Sequence, residues 1–598
     1  MFVGSVLLLF VGLGMFNFLV DPFGVFGDPI FDWYSYNVTK NPRVAKVVYL
    51  ERHPDTFDSF IIGSSGASAF PVDMLNEQFD ANFFNMFAYG SDMMDIKRMA
   101  QYLIENYTVR NLFLGLYIDM AILFDELHCW RSLNMHVRVG GGSRLSFYGR
   151  YLLMPPEYSL AKIRSYFQRE YLPRPFNVFD METGAYDKRR RAVEPIGCME
   201  SYLLAYPVFA NYPTSPLVMW EMENALNSVA AIRDMAEEAG VNLIVVFNPL
   251  YSGHFARFCA DEVRLLFKSL ADVTPFWDFS MSWISFEPRF FYDATHFRGD
   301  IGAMALGRMF DWDNMFIPND FGVFVTPENV AEHVESLFLI EPKEPALYTV
   351  EVPVLMYHHF LNEVSSDIIV SPESFAIQMR ALHDNGFNTI TPRQLVDFVD
   401  YGIPLPENPV VITFDDGYLS VYEHAFPVMA YYGLQGTVFV IGFSVGTDTY
   451  RDTGYATTPK FCFDQARRMA GVVSVQSHSY DMHQWAPFEE GRARENVLIW
   501  PDECEHEYAA ILRADHLAIC QLIYTELGEE VISITFPHGM YDELSQHILT
   551  TVGIRVSFTS NPGMNTIIMG LPQSLLALNR FNITDCIGEV ELLALLRQ

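Results

Sequence analysis

The chain has 598 residues, half of them hydrophobic and 15% aromatic; it is too long for one core and too apolar for disorder, so two or three folded domains are expected. A formal net charge of -34 argues against nucleic acid as a partner, because phosphate binding needs Lys and Arg to release counterions. Seven cysteines with no CxxC pair indicate neither a zinc knuckle nor a dense disulfide framework.

The opening MFVGSVLLLFVGLGMFNFLV holds no charged side chain over 20 residues, about what an α-helix needs to cross a hydrocarbon core of roughly 30 Å. A cleaved signal peptide is the alternative, but no basic segment precedes the run and no small-residue cleavage site follows it. Residues 1–20 are therefore expected to be an uncleaved transmembrane anchor. The rest of the chain is then expected outside the cytoplasm, periplasmic or extracellular.

From about 55 to 315, strand-like segments (FDSFIIGSS, VRNLFLGLYI, VNLIVVFNP) alternate with helical ones such as SVAAIRDMAEEAG. This pattern predicts an α/β layered domain with a mostly parallel sheet, and Gly240 fits the left-handed residue that ends a helix. Between 130 and 215 the pattern breaks into Gly-, Arg- and aromatic-rich sequence, read as an insertion with a helix near SLAKIRSYFQREY. Its basic cluster Lys188–Arg191 reads as a solvated loop rather than a binding patch.

Ser65 follows an apolar strand in a Gly-Ser-Ser turn, and Asp293 precedes His296 by three residues in FFYDATHF. Either piece alone is an ordinary turn. Together they supply the residue types of a nucleophilic triad. The combination resembles the SGNH hydrolase superfamily, in particular its exopolysaccharide-modifying members. That resemblance implies Ser65 as nucleophile, Asp293 and His296 as its partners, and Gly90 in FNMFAYGSD as an oxyanion amide. The superfamily's Gly-x-Asn-Asp block has only GLYID at 115–119 as its counterpart, without Asn.

Near 326, TPENVAEHVESLF carries a helix-start signature with Thr326 as N-cap and Pro327 at the first position. The Pro-containing IEPKEPALYTVEVP then sets an expected boundary near 340–350, so that 316–349 is helix and linker. After 350, short apolar strands again alternate with helices, predicting a β/α barrel that is incomplete or distorted. In such folds functional groups gather at the carboxyl ends of the strands. Asp415 and Asp416 end one strand, His478 and His483 follow another in VQSHSYDMHQW, and FPHGMY at 536–541 ends a third. An Asp-Asp-Gly turn alone is structural. The ordered set of a carboxylate and two imidazoles points to a divalent metal site, zinc before others, with a neighbouring carboxylate as general base.

Residues 350–598 resemble the polysaccharide deacetylases of carbohydrate esterase family 4, which share the NodB homology domain. TFDDGY at 413–418 and the following YEHAFPVMAYYGLQGTVFVIG carry the likeness. VPVLMYHHF and the long His478–His483 spacing are similar to the poly-N-acetylglucosamine deacetylase branch. The resemblance implies Asp415 as catalytic base, Asp416, His478 and His483 as metal ligands, and His538 and Tyr541 in FPHGMY as oxyanion or substrate groups. No Leu-x-His motif supplies the family's general acid; ALNRFNITD stands there, with Arg580 and Asp585. The expected protein is a membrane-anchored N-deacetylase of an N-acetylglucosamine polysaccharide, its SGNH-like domain acting on O-acyl groups. The alternative is a non-catalytic polysaccharide-binding or export scaffold.

Overall fold

The computed structural model describes residues 2–33, 41–122, 135–168, 170–172, 178–341 and 348–597. They form two compact units, one from Met1–Lys188 with Leu203–Lys343, the other from Arg189–Tyr202 with Glu344–Gln598. Part of the expected 130–215 insertion and the core of the expected linker, 342–347, lie outside the described residues. The helix expected near SLAKIRSYFQREY is present at Glu157–Gln168. The helix expected from Thr326 starts later, at Val330–Leu337, because Asn329 turns back to accept the Thr326 N–H at 2.8 Å.

The transmembrane anchor expected at 1–20 is overturned: among the described residues, no helix is long and apolar enough to cross a membrane. Helix α1 (Phe2–Val20) spends its C-terminal end on packing instead. Asn17 is 1% exposed; its Nδ2 donates to the carbonyls of Leu152 (3.0 Å) and Met154 (2.8 Å), and its Oδ1 accepts from Ser159 Oγ at 2.8 Å. A side-chain amide with these internal partners belongs to a protein interior.

In the first unit a six-stranded sheet is ordered β2-β1-β3-β4-β5-β6, with β1 Ser59–Gly63, β2 Phe83–Asn85, β3 Asn111–Leu116, β4 Asn242–Phe247, β5 Phe276–Asp278 and β6 Val323–Val325. All neighbours pair parallel except β5 with β6. Helices α2 (Met93–Asn106), α3 (Met222–Ala239) and α4 (Ala260–Val273) place Ile96, Ile232 and Leu266 in the core with Phe60 and Leu114 of the sheet. Gly240 ends α3 in the left-handed conformation, φ +69°. Ser65, Asp119 and Asn248 all follow carboxyl ends of these strands, where functional groups of open α/β sheets collect.

The second unit is built on parallel strands ordered β12-β11-β10-β9-β8-β7-β13: β7 Val354–Tyr357, β8 Pro409–Phe414, β9 Gly436–Val440, β10 Val473–Ser477, β11 Ser533–Thr535, β12 Val556–Phe558 and β13 Phe581–Asn582. The ends of this path meet only at the isolated parallel bridge of Phe558 with Leu578, just before β13, which fits the incomplete or distorted barrel expected. Strand β8 is buried at every position, as its β-branched run Val410–Thr413 favours in a sheet covered on both faces. Each fully buried Val, Ile or Phe of such a strand contributes roughly 1.5–3 kcal/mol.

Candidate active sites

Strand β8 hands the chain to Asp415, whose amide donates to Tyr357 O at 2.9 Å and so continues the ladder with β7 for one more residue. The ladder then stops. Asp416 and Gly417 both take φ +69°, a left-handed pair that swings the second carboxylate away from the first. Glycine suits position 417, since a Cβ would be strained at this φ and would also press on Val440 Cγ1 at 3.0 Å. Ser479 (φ +71°) and His538 (φ +56°) take the same conformation at the ends of β10 and β11. Non-glycine residues held this way cost of order 1–3 kcal/mol each and cluster at functional sites.

Asp416, His478 and His483 converge, with one ligand atom from each lying within 4.8 Å of the others. Asp416 Oδ1 stands 3.5 Å from His478 Nε2 and 3.7 Å from His483 Nε2, too far for hydrogen bonds, and among the described residues it is buried without a partner. Burial opposes ionisation of Asp416, yet the neighbouring Lys460, His478 and His483 outweigh it and hold the carboxyl well below its usual range. Burial in turn lowers both imidazoles, His483 to about 3, with His478 adding to that effect. An ionised oxygen facing two neutral ring nitrogens with no proton to share is the polar pattern of a cation site, so these residues fit a divalent metal. The Nδ1 of His478 bonds to Thr535 O (2.8 Å) and Thr535 Oγ1 (2.5 Å), which aims Nε2 at Asp416.

Asp415 has different company. Arg580 grips it bidentately, Nη1 to Oδ1 at 2.8 Å and Nη2 to Oδ2 at 2.7 Å, with both side chains almost fully buried. Burial pushes its carboxyl up, but the charge and hydrogen bonds of Arg580 win and keep it below the ordinary carboxylate range. His358 Nε2 lies 3.9 Å from Asp415 Oδ2, and its buried Nδ1 has no partner among the described residues. These groups line one cavity of about 650 Å³ together with Lys460, Trp485 and His538. Burial pushes Lys460 down to about 8 against the pull of Asp416.

Of the groups expected around FPHGMY, His538 lines the cavity with its ring 4.6 Å from that of His483. Tyr541 does not reach the cavity lining; its ring stacks on Phe536 at 4.8 Å. Asp585, the other polar residue of ALNRFNITD, accepts from Ser371 N (2.8 Å) and Oγ (2.7 Å) instead of entering the site. Asp515 is a group that motif reading missed. From helix α5 (Glu505–Leu527) it accepts the amides of Tyr480 (2.9 Å) and Asp481 (2.6 Å), midway between the two histidines.

In the first unit, Ser65 opens a 3₁₀ turn directly after β1. His296 Nε2 is 2.6 Å from Ser65 Oγ, and His296 Nδ1 is 2.8 and 2.7 Å from the two oxygens of Asp293. The amides of Thr295 and His296 both donate to Asp293 Oδ1 at 3.0 Å. Although partial burial raises it, the carboxyl of Asp293 is held below its usual range by the hydrogen bond and charge of His296 and by these amides. Gly90 turns at φ +59° in the loop after β2. Asp119 of GLYID bonds His254 Nε2 at 2.7 Å, and His254 Nδ1 bonds Tyr212 Oη at 2.7 Å, so that block serves a separate chain of contacts.

Residues 402–557 match the family model described as Polysaccharide deacetylase. The putative polysaccharide deacetylase YxkH of Bacillus subtilis is 27% identical over 246 residues, 41% of this chain and 74% of the relative. The poly-beta-1,6-N-acetyl-D-glucosamine N-deacetylase of Escherichia coli K12 is 24% identical over 248 residues; the match spans 38% of this chain and only 36% of that protein. Among solved structures, IcaB from Ammonifex degensii is 25% identical, covering 41% of this chain and 99% of its own, with a TM-score of 0.33. The C-terminal unit thus contains a polysaccharide deacetylase domain of the NodB-like, carbohydrate esterase family 4 kind, a hydrolase acting on non-peptide carbon–nitrogen bonds.

Proposed function

We propose that the C-terminal unit removes N-acetyl groups from an N-acetylglucosamine-containing polysaccharide in a metal-dependent reaction. The observation that carries this reading is the unpartnered Asp416 oxygen facing His478 and His483 beside the Asp415–Arg580 pair. The name of the Escherichia coli relative supports the substrate class. Asp416, His478 and His483 would hold the ion, and their donor set suits zinc. Bound there, the metal supplies Lewis-acid polarisation of a water and of the amide carbonyl.

The residues of the chain divide the remaining work. Asp415, kept ionised by Arg580, accepts a proton from the attacking water as its oxygen bonds to the acetyl carbon. His358 faces the same cavity and delivers a proton to the sugar nitrogen as the carbon–nitrogen bond breaks, leaving acetate and an amine. The strand-end turn at His538, which lines the same cavity, would offer a backbone donor to the oxyanion. Acetate release from β-1,6-linked N-acetylglucosamine oligomers, with and without chelator, tests the reading. Release should require metal and vanish in Asp416→Asn; release that ignores both would overturn it.

A second reading concerns the first unit. The continuous Ser65–His296–Asp293 hydrogen-bond chain supports an SGNH-like domain acting on O-acyl groups. Labelling of the protein by a fluorophosphonate, abolished in Ser65→Ala, is the expected result. A native protein that takes no label would count against it.

A further inference from the structure

We propose that Asn248 is the side-chain oxyanion donor of the Ser65 site, filling the role left vacant by the missing Asn of GLYID. The inference rests on the reading of Ser65 as nucleophile. Asn248 directly follows β4, and its amide donates to Leu116 O at 2.9 Å, which fixes it at the carboxyl edge of the sheet where Ser65 lies. It is only 5% exposed.

Its carboxamide lies flat against two glycines. A Cβ on Gly66, the residue after Ser65, would come within 2.7 Å of Asn248 Nδ2, and a Cβ on Gly115 would come within 3.5 Å of Asn248 Oδ1 and 2.9 Å of Ala67 Cβ. A side chain at position 66 would have to move the amide, whereas at position 115 it would press on Ala67 and only touch Oδ1. Among the described residues, the buried Oδ1 has no hydrogen-bond partner and Nδ2 makes no hydrogen bond either. The burial cost falls on Oδ1, while Nδ2 commits no hydrogen bond to the described residues. The donor beside the nucleophile is therefore available to a ligand atom.

That atom is the carbonyl oxygen of an acyl ester. Ser65 Oγ bonds to the acyl carbon while its proton passes to His296 Nε2, and the carbonyl π pair moves onto oxygen, where Asn248 Nδ2–H donates to it. Collapse breaks the bond to the leaving alcohol, which takes the proton from His296. Water then repeats the sequence, releasing the carboxylic acid and restoring Ser65. Such a donor is worth most where negative charge develops, so its loss falls on kcat rather than on KM.

The test uses the intact chain with 4-nitrophenyl acetate as probe ester and Ser65→Ala as the background. Asn248→Ala should lower the Ser65-dependent kcat about 10²- to 10³-fold while KM moves by less than about threefold. Asn248→Asp, which keeps the volume but removes the donor, should do the same with an unchanged thermal transition, and it carries the test if Asn248→Ala fails to fold. A near-native kcat in either variant, with Ser65→Ala inactive, would overturn the assignment and leave the triad standing. A native protein without Ser65-dependent turnover or fluorophosphonate labelling would sink the triad and this inference with it.

Discussion

The two strand-end sites are built on opposite polar logic. Around Asp416 the fold buries a charged oxygen that nothing among the described residues satisfies, and it keeps the facing imidazoles neutral by burial. Around Ser65 every polar atom of the chain to Asp293 finds its partner, with His296 37% and Asp293 45% exposed. An incomplete buried set suits a cation; a complete, half-open set suits the passing of a proton. The contrast shows that proximity of Asp and His has no single meaning until the satisfied and unsatisfied atoms are sorted.

The sharpest way to break this contrast is Asp416→Asn, which should remove the metal and reduce acetate release to background; metal analysis on the same sample checks it. Retained stoichiometric metal would mean that the orphan oxygen is not a ligand. Asp415→Asn should keep the metal yet lower turnover about 10²- to 10⁴-fold, as loss of a general base does. Replacing the partner instead, Arg580→Met leaves a buried carboxylate unpaired and should cost about 3–5 kcal/mol in urea unfolding. A loss under about 1 kcal/mol would place that pair with weak surface contacts.

A pH experiment probes Asp515. Burial pushes its carboxyl up to about 6 despite the amides of Tyr480 and Asp481. Because the folded value lies above the unfolded one near 3.9, the folded state binds the extra proton, and this stabilisation is present below about pH 4 and lost as pH rises through about 6. Asp515→Asn should flatten the fall in urea midpoint between those pH values and weaken metal affinity about 10- to 100-fold. The smallest effect expected is that of Ser65→Ala on acetate release, which should be nil. A change there would tie the two chemistries together.

Much of this was legible in sequence because periodicity and strand ends are local properties. TFDDGY announced its turn, and the strand runs of both units were readable from apolar residues bounded by Gly and Pro. Ser65, Asp293 and His296 could be nominated from residue types, and the structure brings them into one hydrogen-bonded chain. What escaped depends on contacts across long sequence separations. Arg580 stood in the expected place of a missing motif, yet nothing local revealed that it meets Asp415, 165 residues earlier. Asn248 and Asp515 lie in no motif; the glycines at 66 and 115 were the nearest signal for the first. Tyr541 was nominated for lying near the FPHG turn, but stacking on Phe536 claims its ring. The N-terminal run misled because hydropathy counts residue types and cannot see Asn17 meeting its partners on 152–159.

That same helix governs how the protein can be shortened. Trimming at residue 20 would strip Leu152 O, Met154 O and Ser159 Oγ of Asn17, and would bare the surface that Gly14 covers at Leu152. The next residue, Asp21, gathers the amides of Val25 (2.8 Å), Phe26 (2.7 Å) and Asp28 (3.0 Å), while its carbonyl accepts from the buried Lys162 at 3.0 Å. A recombinant fragment begun there would expose its own interior at the cut, so preparations of the Ser65 unit should keep the apolar segment rather than discard it for solubility.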